Sequence, residues 1–378
     1  MGFTYIGPVD GHDLPQLIHV LSWAKEQQKP IVLHVRTVKG RGYPPAEREP
    51  DRFHGVGAFD AATGAIPGSG GASFSSTFGD ALTELAERDA RICAVSAAML
   101  SGTGLDGFAK RFPERSFDVG IAEGHAVAMC AGMAKGGMRP VFCVYSSFLQ
   151  RGYDMLLHDV ALQGLHVVFG VDRAGLVGAD GETHQGCFDV GYLAQVPHMT
   201  VLCPASFAEL RTMLRQAIYE LDGPVALRYP RGGEGAYRAD DCAAPLTLLR
   251  TGEDATLVSY GTLINELLAA AQELAQSGIS MEVVKLNRIT PLDSETITST
   301  LGRKNCLLVL EDSVQAGCVG ERIAALLQEA QLAPQRLLLR NVGTGFVPQG
   351  TVAELRARLG LDSAGVVSAV REALAWQR

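Results

Sequence analysis

The 378-residue sequence contains no long apolar run, no Cys-x-x-Cys pair and no run of basic residues. The first absence excludes a transmembrane helix, which needs about 20 apolar residues in succession. The second bears on the eight cysteines, Cys93, Cys130, Cys143, Cys187, Cys203, Cys242, Cys306 and Cys318. Several lie in apolar stretches, which favours buried free thiols in a reducing compartment over a disulfide frame or a zinc site. The third fits the charge: 33 Lys+Arg against 41 Asp+Glu give −8. An acidic chain without basic runs is no general binder of nucleic acid or membrane surfaces. The nearest basic cluster, Arg36, Lys39 and Arg41, reads as a solvated loop. No basic segment followed by an apolar one marks a signal peptide, and Ile6 stands where a myristoylation signal needs Ser or Thr. The 43 Gly and 17 Pro follow no Gly-X-Y period, which excludes collagen. A cytoplasmic protein is expected.

What is present is ample apolar material, 47% of residues, in a length that suggests two to three domains at roughly 150 residues each. In the first 43 residues, Asp13 is an N-cap with Pro15 in the first turn, and Leu14, Leu17, Ile18 and Leu21 recur at helical spacing. Lys29-Pro30 stops that helix, and Ile31 to Val38 reads as a β-branched strand. One helix and one strand bury no core, so this is read as the remnant of a larger domain. Residues 44–74, with Pro44, Pro45, Pro50 and Gly70-Gly71, read as a linker or strap. From 75 to 231 strands (Ile92–Ser96, Pro140–Tyr145, His166–Val171, Thr200–Cys203, Val225–Tyr229) alternate with helices (Thr77–Glu87, Glu123–Lys135, Phe148–Leu162, Phe207–Leu221). A second linker, Gly232 to Pro245, leads into a domain over 245–378 with the same rhythm. Its expected strands are Ala255–Tyr260, Met281–Lys285, Cys306–Leu310 and Arg336–Leu339. Alternation of this kind predicts two parallel-sheet α/β domains covered on both faces.

Several segments carry chemistry. Gly102, Gly104 and Gly107 form a G-x-G-x-x-G, but it starts late after its strand and Pro113 cuts the following helix. A glycine-rich surface or substrate loop is the better reading. Glu123 opens a helix whose next residues are small and apolar. It is either a helix-dipole partner or a catalytic carboxylate, and composition alone does not choose. Tyr145, Phe148 and Arg151 follow a strand at its carboxyl end, where open α/β sheets bind ligands. Phe148 is by base rate a core residue or else a stacking platform. Asp172 to Gly186 is dense in Gly, Asp, Glu and His, a substrate-handling composition lacking the spacing of a metal site. Arg231 is suited to bind phosphate or carboxylate, or to make a surface salt bridge. His12 precedes an N-cap, in a structural or an acid/base role.

Together the stretches YIGPVDGHD (Tyr5–Asp13), KGRGYPPAE (Lys39–Glu47), FHGVGAFD (Phe53–Asp60), DVGIAEGHAV (Asp118–Val127), VYSSFLQRGYD (Val144–Asp154), DRAGLVGADGETHQG (Asp172–Gly186) and RYPRG (Arg228–Gly232) resemble the 1-deoxy-D-xylulose-5-phosphate synthase family, thiamine-diphosphate enzymes of the transketolase superfamily. The resemblance spans essentially the whole chain. It implies transketolase-like pyrimidine-binding and C-terminal domains. It also implies condensation of pyruvate with glyceraldehyde 3-phosphate, with loss of CO2, in isoprenoid-precursor and thiamine biosynthesis, by a homodimer. By the resemblance, Glu123 hydrogen-bonds N1′ of the cofactor's aminopyrimidine, Phe148 stacks on that ring and Ile121 props the cofactor's bent shape. Arg173 and Arg231 clamp the acceptor phosphate. Tyr145, Asp180, His184 and His12 orient the acceptor and move protons, and Arg151 is a further family arginine.

Two departures qualify this. Gly124 replaces the family's usual Gln, which is expected to loosen the helix start. The Gly-Asp-Gly motif that holds the diphosphate through Mg2+ is absent; Ala179-Asp180-Gly181 belongs to the acceptor loop. The chain is therefore expected to hold the aminopyrimidine half of the cofactor site, no metal ligands, and little or no activity alone. The alternatives are the C-terminal subunit of a two-chain transketolase-type enzyme, or a non-catalytic binding module.

Overall fold

The structure, a computed structural model, describes residues 2–50, 52–66 and 71–375. It divides into two compact units, 1–71 and 72–378.

In the first unit, β1 (Thr4–Asp10) pairs in parallel with β2 (Ile31–Arg36), and the helix Leu14–Lys25 connects them. The Asp13 side chain accepts the Gln16 N–H, the expected cap. β1 lies where the sequence reading placed no strand, so the unit holds two strands and not one. Within this unit the helix buries no residue, and Leu14 and Ile18 of its apolar stripe are 62% and 63% exposed. The stretch read as a linker contains the helix Pro44–Arg48. The rings of Tyr43, Phe53 and Phe59 pack together around that helix's flanks, with centroids 5.3–5.7 Å apart.

In the second unit the strands are β3 (Ile92–Ser96), β4 (Ser116–Asp118), β5 (Arg139–Tyr145), β6 (Val168–Asp172), β7 (Thr200–Leu202), β8 (Val225–Arg228), β9 (Leu246–Arg250), β10 (Ala255–Tyr260), β11 (Met281–Leu286), β12 (Arg288–Thr290), β13 (Cys306–Leu310) and β14 (Arg336–Arg340). A seven-stranded sheet runs β12-β7-β8-β6-β5-β3-β4 and a five-stranded sheet β14-β13-β10-β11-β9. The fold is α/β. The expectation of all-parallel sheets needs correction at two edges, where β9 lies antiparallel to β11 and β12 antiparallel to β7. Parallel neighbours need a crossover of a dozen or more residues. Only Asn287 separates β11 from β12, so the chain passes there from one sheet into the other.

The central strands β3, β5, β6, β8, β10 and β13 are buried along almost their whole length, as runs such as Cys306-Leu-Leu-Val-Leu310 require. The helix expected over Phe148–Leu162 is instead broken into Ser146–Leu149, a 3₁₀ turn Gln150–Gly152, a short turn Tyr153–Met155 and a π-turn Leu156–Ala161. The chain packs too tightly there for a side chain: a Cβ on Gly152 would lie 2.8 Å from Val127 Cγ2. The segment after Tyr229 is tied across the two sheets by buried Lys285. Its ammonium contacts Glu209 Oε1 and Asn287 Oδ1, accompanied by the Tyr237 hydroxyl, which donates to Glu209 at 2.7 Å.

Candidate functional site

Three strands deliver the site residues, each at its carboxyl end. β5 ends at Tyr145 and leads into Phe148 and Arg151. β6 ends at Asp172 and leads into Arg173 and the loop through His184. β8 ends at Arg228, just before Arg231. Tyr145 and Asp172 are register partners on adjacent strands. β4, at the edge of the same sheet, ends at Asp118 shortly before Glu123.

Glu123 is the first residue of the helix Glu123–Lys135 and is 3% exposed. Its Oε1 accepts from Arg151 Nη1 at 2.8 Å. The Arg151 guanidinium lies 5.0 Å from the centre of the Phe148 ring. Phe148 stacks at 5.9 Å on Tyr145 and meets the His184 ring edge-on at 5.2 Å. The Arg173 guanidinium lies 4.0 Å from the centre of the Tyr145 ring. Arg173 Nη1 contacts Asp180 Oδ2, and Arg231 Nη1 stands 3.0 Å from Asp180 Oδ1. Eight of the ten residues singled out in the sequence thus form one unbroken run of contacts. Ile121 lies outside that run and is 80% exposed. His12 lies in the first unit, where its Nε2 accepts the Val38 N–H at 2.7 Å. Within that unit it lines a cavity of about 330 Å³ with Asp10, Arg36 and Arg41.

Phe148 is half-buried and packs against the core. Tyr145 is 9% exposed, and burial pushes its hydroxyl pKa up, with the nearby Arg173 charge opposing. Gly102 makes that geometry possible, since a Cβ there would lie 1.8 Å from the Tyr145 hydroxyl. The glycine-rich loop therefore backs the site wall. Gly124 likewise has a packing reason: a Cβ would lie 2.9 Å from Met155 Cε. The helix begins at Glu123 despite it.

Sequence reasoning missed three features. Asp172, counted as part of a loop, ends β6 and has no exposed surface. Burial pushes its pKa up to about 7; a Ser75 hydroxyl, the Arg173 N–H and the charges of Arg173 and Arg231 oppose that rise. The signal was a carboxylate closing an otherwise apolar run. Arg228, 5% exposed, pairs with Asp189 at 2.9 Å and with Asp312 at 3.0 Å, linking segments on both sides of the 232–245 stretch. Ser146 and Ser147 are buried beside Phe148 with hydroxyls that have no hydrogen-bond partner among the described residues. No group of three His, Cys, Asp or Glu among the described residues stands close enough to hold a metal ion, and no described helix is long and apolar enough to cross a membrane.

Family models match along the chain in order: 1-deoxy-D-xylulose-5-phosphate synthase over residues 1–37, the transketolase pyrimidine binding domain over 71–233 and the transketolase C-terminal domain over 246–366. The chain is 45% identical over 389 residues to 1-deoxy-D-xylulose-5-phosphate synthase 1 of Geobacter sulfurreducens, covering 99% of this chain and 60% of that protein. It is 46% identical over 372 residues to the synthase of Desulforudis audaxviator, covering 97% and 58%. The chain thus spans about three fifths of the length of these curated relatives. Among solved structures, a split gene transketolase described as an inactive beta4 tetramer superposes with a TM-score of 0.72 at 29% identity, over 82% of this chain and all of that one. A Pichia stipitis transketolase shares the fold at a TM-score of 0.67 and 16% identity, over 82% of this chain and 47% of that one. Nearly the whole chain is thus similar to 1-deoxy-D-xylulose-5-phosphate synthases, with a segment of the synthase model and the two transketolase domain models following one another along it.

Proposed function

We propose that this chain supplies the aminopyrimidine and acceptor half of a synthase that condenses pyruvate with glyceraldehyde 3-phosphate, with loss of CO2. The observation that carries the reading is the unbroken run from Glu123 through Arg151, Phe148, Tyr145 and Arg173 to Asp180 and Arg231. One end offers a buried carboxylate and a half-buried aromatic ring, and the other offers two arginines. The domains read as 1–43, the strap 44–74, 75–231 and 245–378.

The residues fit the aminopyrimidine of thiamine diphosphate. Glu123 is a buried acceptor, Phe148 presents a ring, and the unpaired hydroxyls of Ser146 and Ser147 lie beside it. When bound, thiamine diphosphate supplies the carbon nucleophile and the electron sink for decarboxylation. Glu123 would hold the proton at N1′, and Arg151 beside it keeps the carboxylate oriented. Ile121, exposed just before that helix, would contact the cofactor. Arg173 and Arg231 would take the acceptor phosphate by charge-assisted hydrogen bonds. Tyr145, Asp180 and His184 line the path between the two ends and would orient the acceptor's carbonyl and hydroxyl groups, with His184 moving protons there; His12 is read as a further acid/base residue of the family, carried by the first unit. Mg2+ would enter only with a diphosphate-binding domain. The functional form is a homodimer in the cytoplasm.

A second reading, one chain of a two-chain enzyme, is favoured by the likeness to the split gene transketolase chain, all of whose length is covered. One experiment serves both. The purified chain is assayed for CO2 release from pyruvate that depends on glyceraldehyde 3-phosphate, alone and mixed with the amino-terminal portion of the Geobacter sulfurreducens relative. Little turnover alone and activity on mixing is the expected result. Full activity alone defeats the half-site reading, and failure to bind either thiamine or glyceraldehyde 3-phosphate defeats the functional assignment.

A further inference from the structure

Asp172 has no place in the run of contacts from Glu123 to Arg231, yet it is a fully buried carboxyl that feels the charges of both Arg173 and Arg231. It is the last residue of β6 and the register partner of Tyr145 on β5. Paired residues on neighbouring strands project to the same face of a sheet, and the next residue projects to the other. If β6 continued in extended form, Arg173 would point away from the face that carries Tyr145. It does not, because Arg173 turns into the left-handed region at φ +53°. Arginine rarely adopts that conformation, so surrounding structure must hold it. The nearest hold is Asp172 itself, whose Oδ1 accepts the Arg173 N–H at 2.6 Å. The turn then continues with the Ala174 N–H donating to Tyr229 O at 3.0 Å. It packs against Gly186, where a Cβ would lie 2.3 Å from Arg173 O. The outcome is that the Arg173 guanidinium returns over the Tyr145 ring and reaches Asp180.

We propose that Asp172 is a positioning residue for acceptor-phosphate binding: its carboxyl oxygen holds the Arg173 N–H, fixes the left-handed turn and thereby keeps the arginine on the Tyr145 side of the sheet. The inference rests on the reading of Arg173 as a phosphate ligand. It differs from a general structural role in being confined to one end of the site, since Glu123, Phe148 and Arg151 are held by other elements.

The test uses the full chain and three variants of one position. Asp172→Val fits a buried strand end and removes the acceptor, while Asp172→Asn retains an oxygen for the Arg173 N–H. Asp172→Ala is the control for volume. Binding of glyceraldehyde 3-phosphate and of thiamine is measured separately by saturation-transfer NMR titration, with thermal unfolding alongside. Asp172→Val and Asp172→Ala are expected to weaken glyceraldehyde 3-phosphate about tenfold, as the loss of one charge-assisted contact would. Thiamine affinity should change less than about twofold, and Asp172→Asn should keep both affinities near those of the parent chain. If the parent chain binds the phosphate ligand and Asp172→Val binds it equally well, the positioning role is overturned and the acceptor reading stands. The positioning role is also overturned if Asp172→Asn loses as much as Asp172→Val, or if both ligands weaken together. If the parent chain does not bind glyceraldehyde 3-phosphate, the acceptor reading and this inference fall together.

Discussion

Arg231 Nη1 stands 3.0 Å from Asp180 Oδ1, the oxygen opposite the one that Arg173 holds. One carboxylate thus occupies the two guanidinium groups proposed to bind the acceptor phosphate. A ligand phosphate must compete with that carboxylate or share its partners, and the Asp180 charge repels it at short range. Asp180→Asn is therefore expected to tighten binding of inorganic phosphate several-fold, most at low ionic strength, where screening is weakest. Isothermal titration at two salt concentrations measures this, and unchanged or weaker phosphate binding would contradict it.

At the other end, Glu123 is buried while its partner Arg151 is half exposed, with 54% of its side chain accessible. Glu123→Gln leaves no buried charge behind, because water can solvate the arginine. Stability should change little, by about 1 kcal/mol or less from the lost helix-dipole term. Thiamine binding should fall by about tenfold or more, since an amide is a far poorer acceptor for a protonated ring nitrogen. A large drop in melting temperature with intact thiamine binding would assign Glu123 to the fold alone.

How far the sequence could be read follows from the same physics. Strands β3, β10 and β13 and the Glu123–Lys135 helix have the boundaries their apolar runs and end residues predict. A buried parallel strand has little alternative to a continuous apolar run. The short antiparallel edges β9 and β12 were illegible, because Leu-Thr-Leu-Leu-Arg and Arg-Ile-Thr carry no such run. The break after Phe148 was equally hidden, since it depends on the approach of Gly152 to Val127 from another element. For the site, residue types at strand ends marked Tyr145, Phe148, Arg151 and Arg231 as candidates beside ordinary structural roles, and only the family resemblance gave Arg173 its role. Their order of contact, with Arg151 on Glu123 and Asp180 between two arginines, is a tertiary fact that no local pattern encodes.

Lys285 and Glu209 have no exposed surface and face each other across the junction of the two sheets. Removing one partner strands the other in a dry environment. Lys285→Met should cost about 3 kcal/mol or more, measured by urea unfolding. Adding Glu209→Gln to it should recover most of that loss, because the double variant buries no charge. Strict additivity of the two substitutions would show that the pair is not coupled.

Asp172 makes stability depend on pH in a direction opposite to that of most carboxylates. Burial pushes its pKa up to about 7, against 3.8 for an exposed aspartate. Between those values the folded chain keeps the proton and the unfolded chain releases it. Unfolding therefore gains favour as pH rises through this window, and the penalty levels off once the folded form also ionises, above about 7. The full effect is on the order of a few kcal/mol. Asp172→Asn has no proton to lose and escapes it. The melting temperature of Asp172→Asn should equal that of the parent chain near pH 4, exceed it increasingly up to about pH 7, and keep a constant lead at about pH 8. Thermal unfolding at roughly unit steps from about pH 4 to about pH 8 gives the comparison. Parallel curves for the two chains would mean that Asp172 is already ionised in the fold at about pH 5, with its charge held by Arg173 and Arg231 more strongly than burial opposes it.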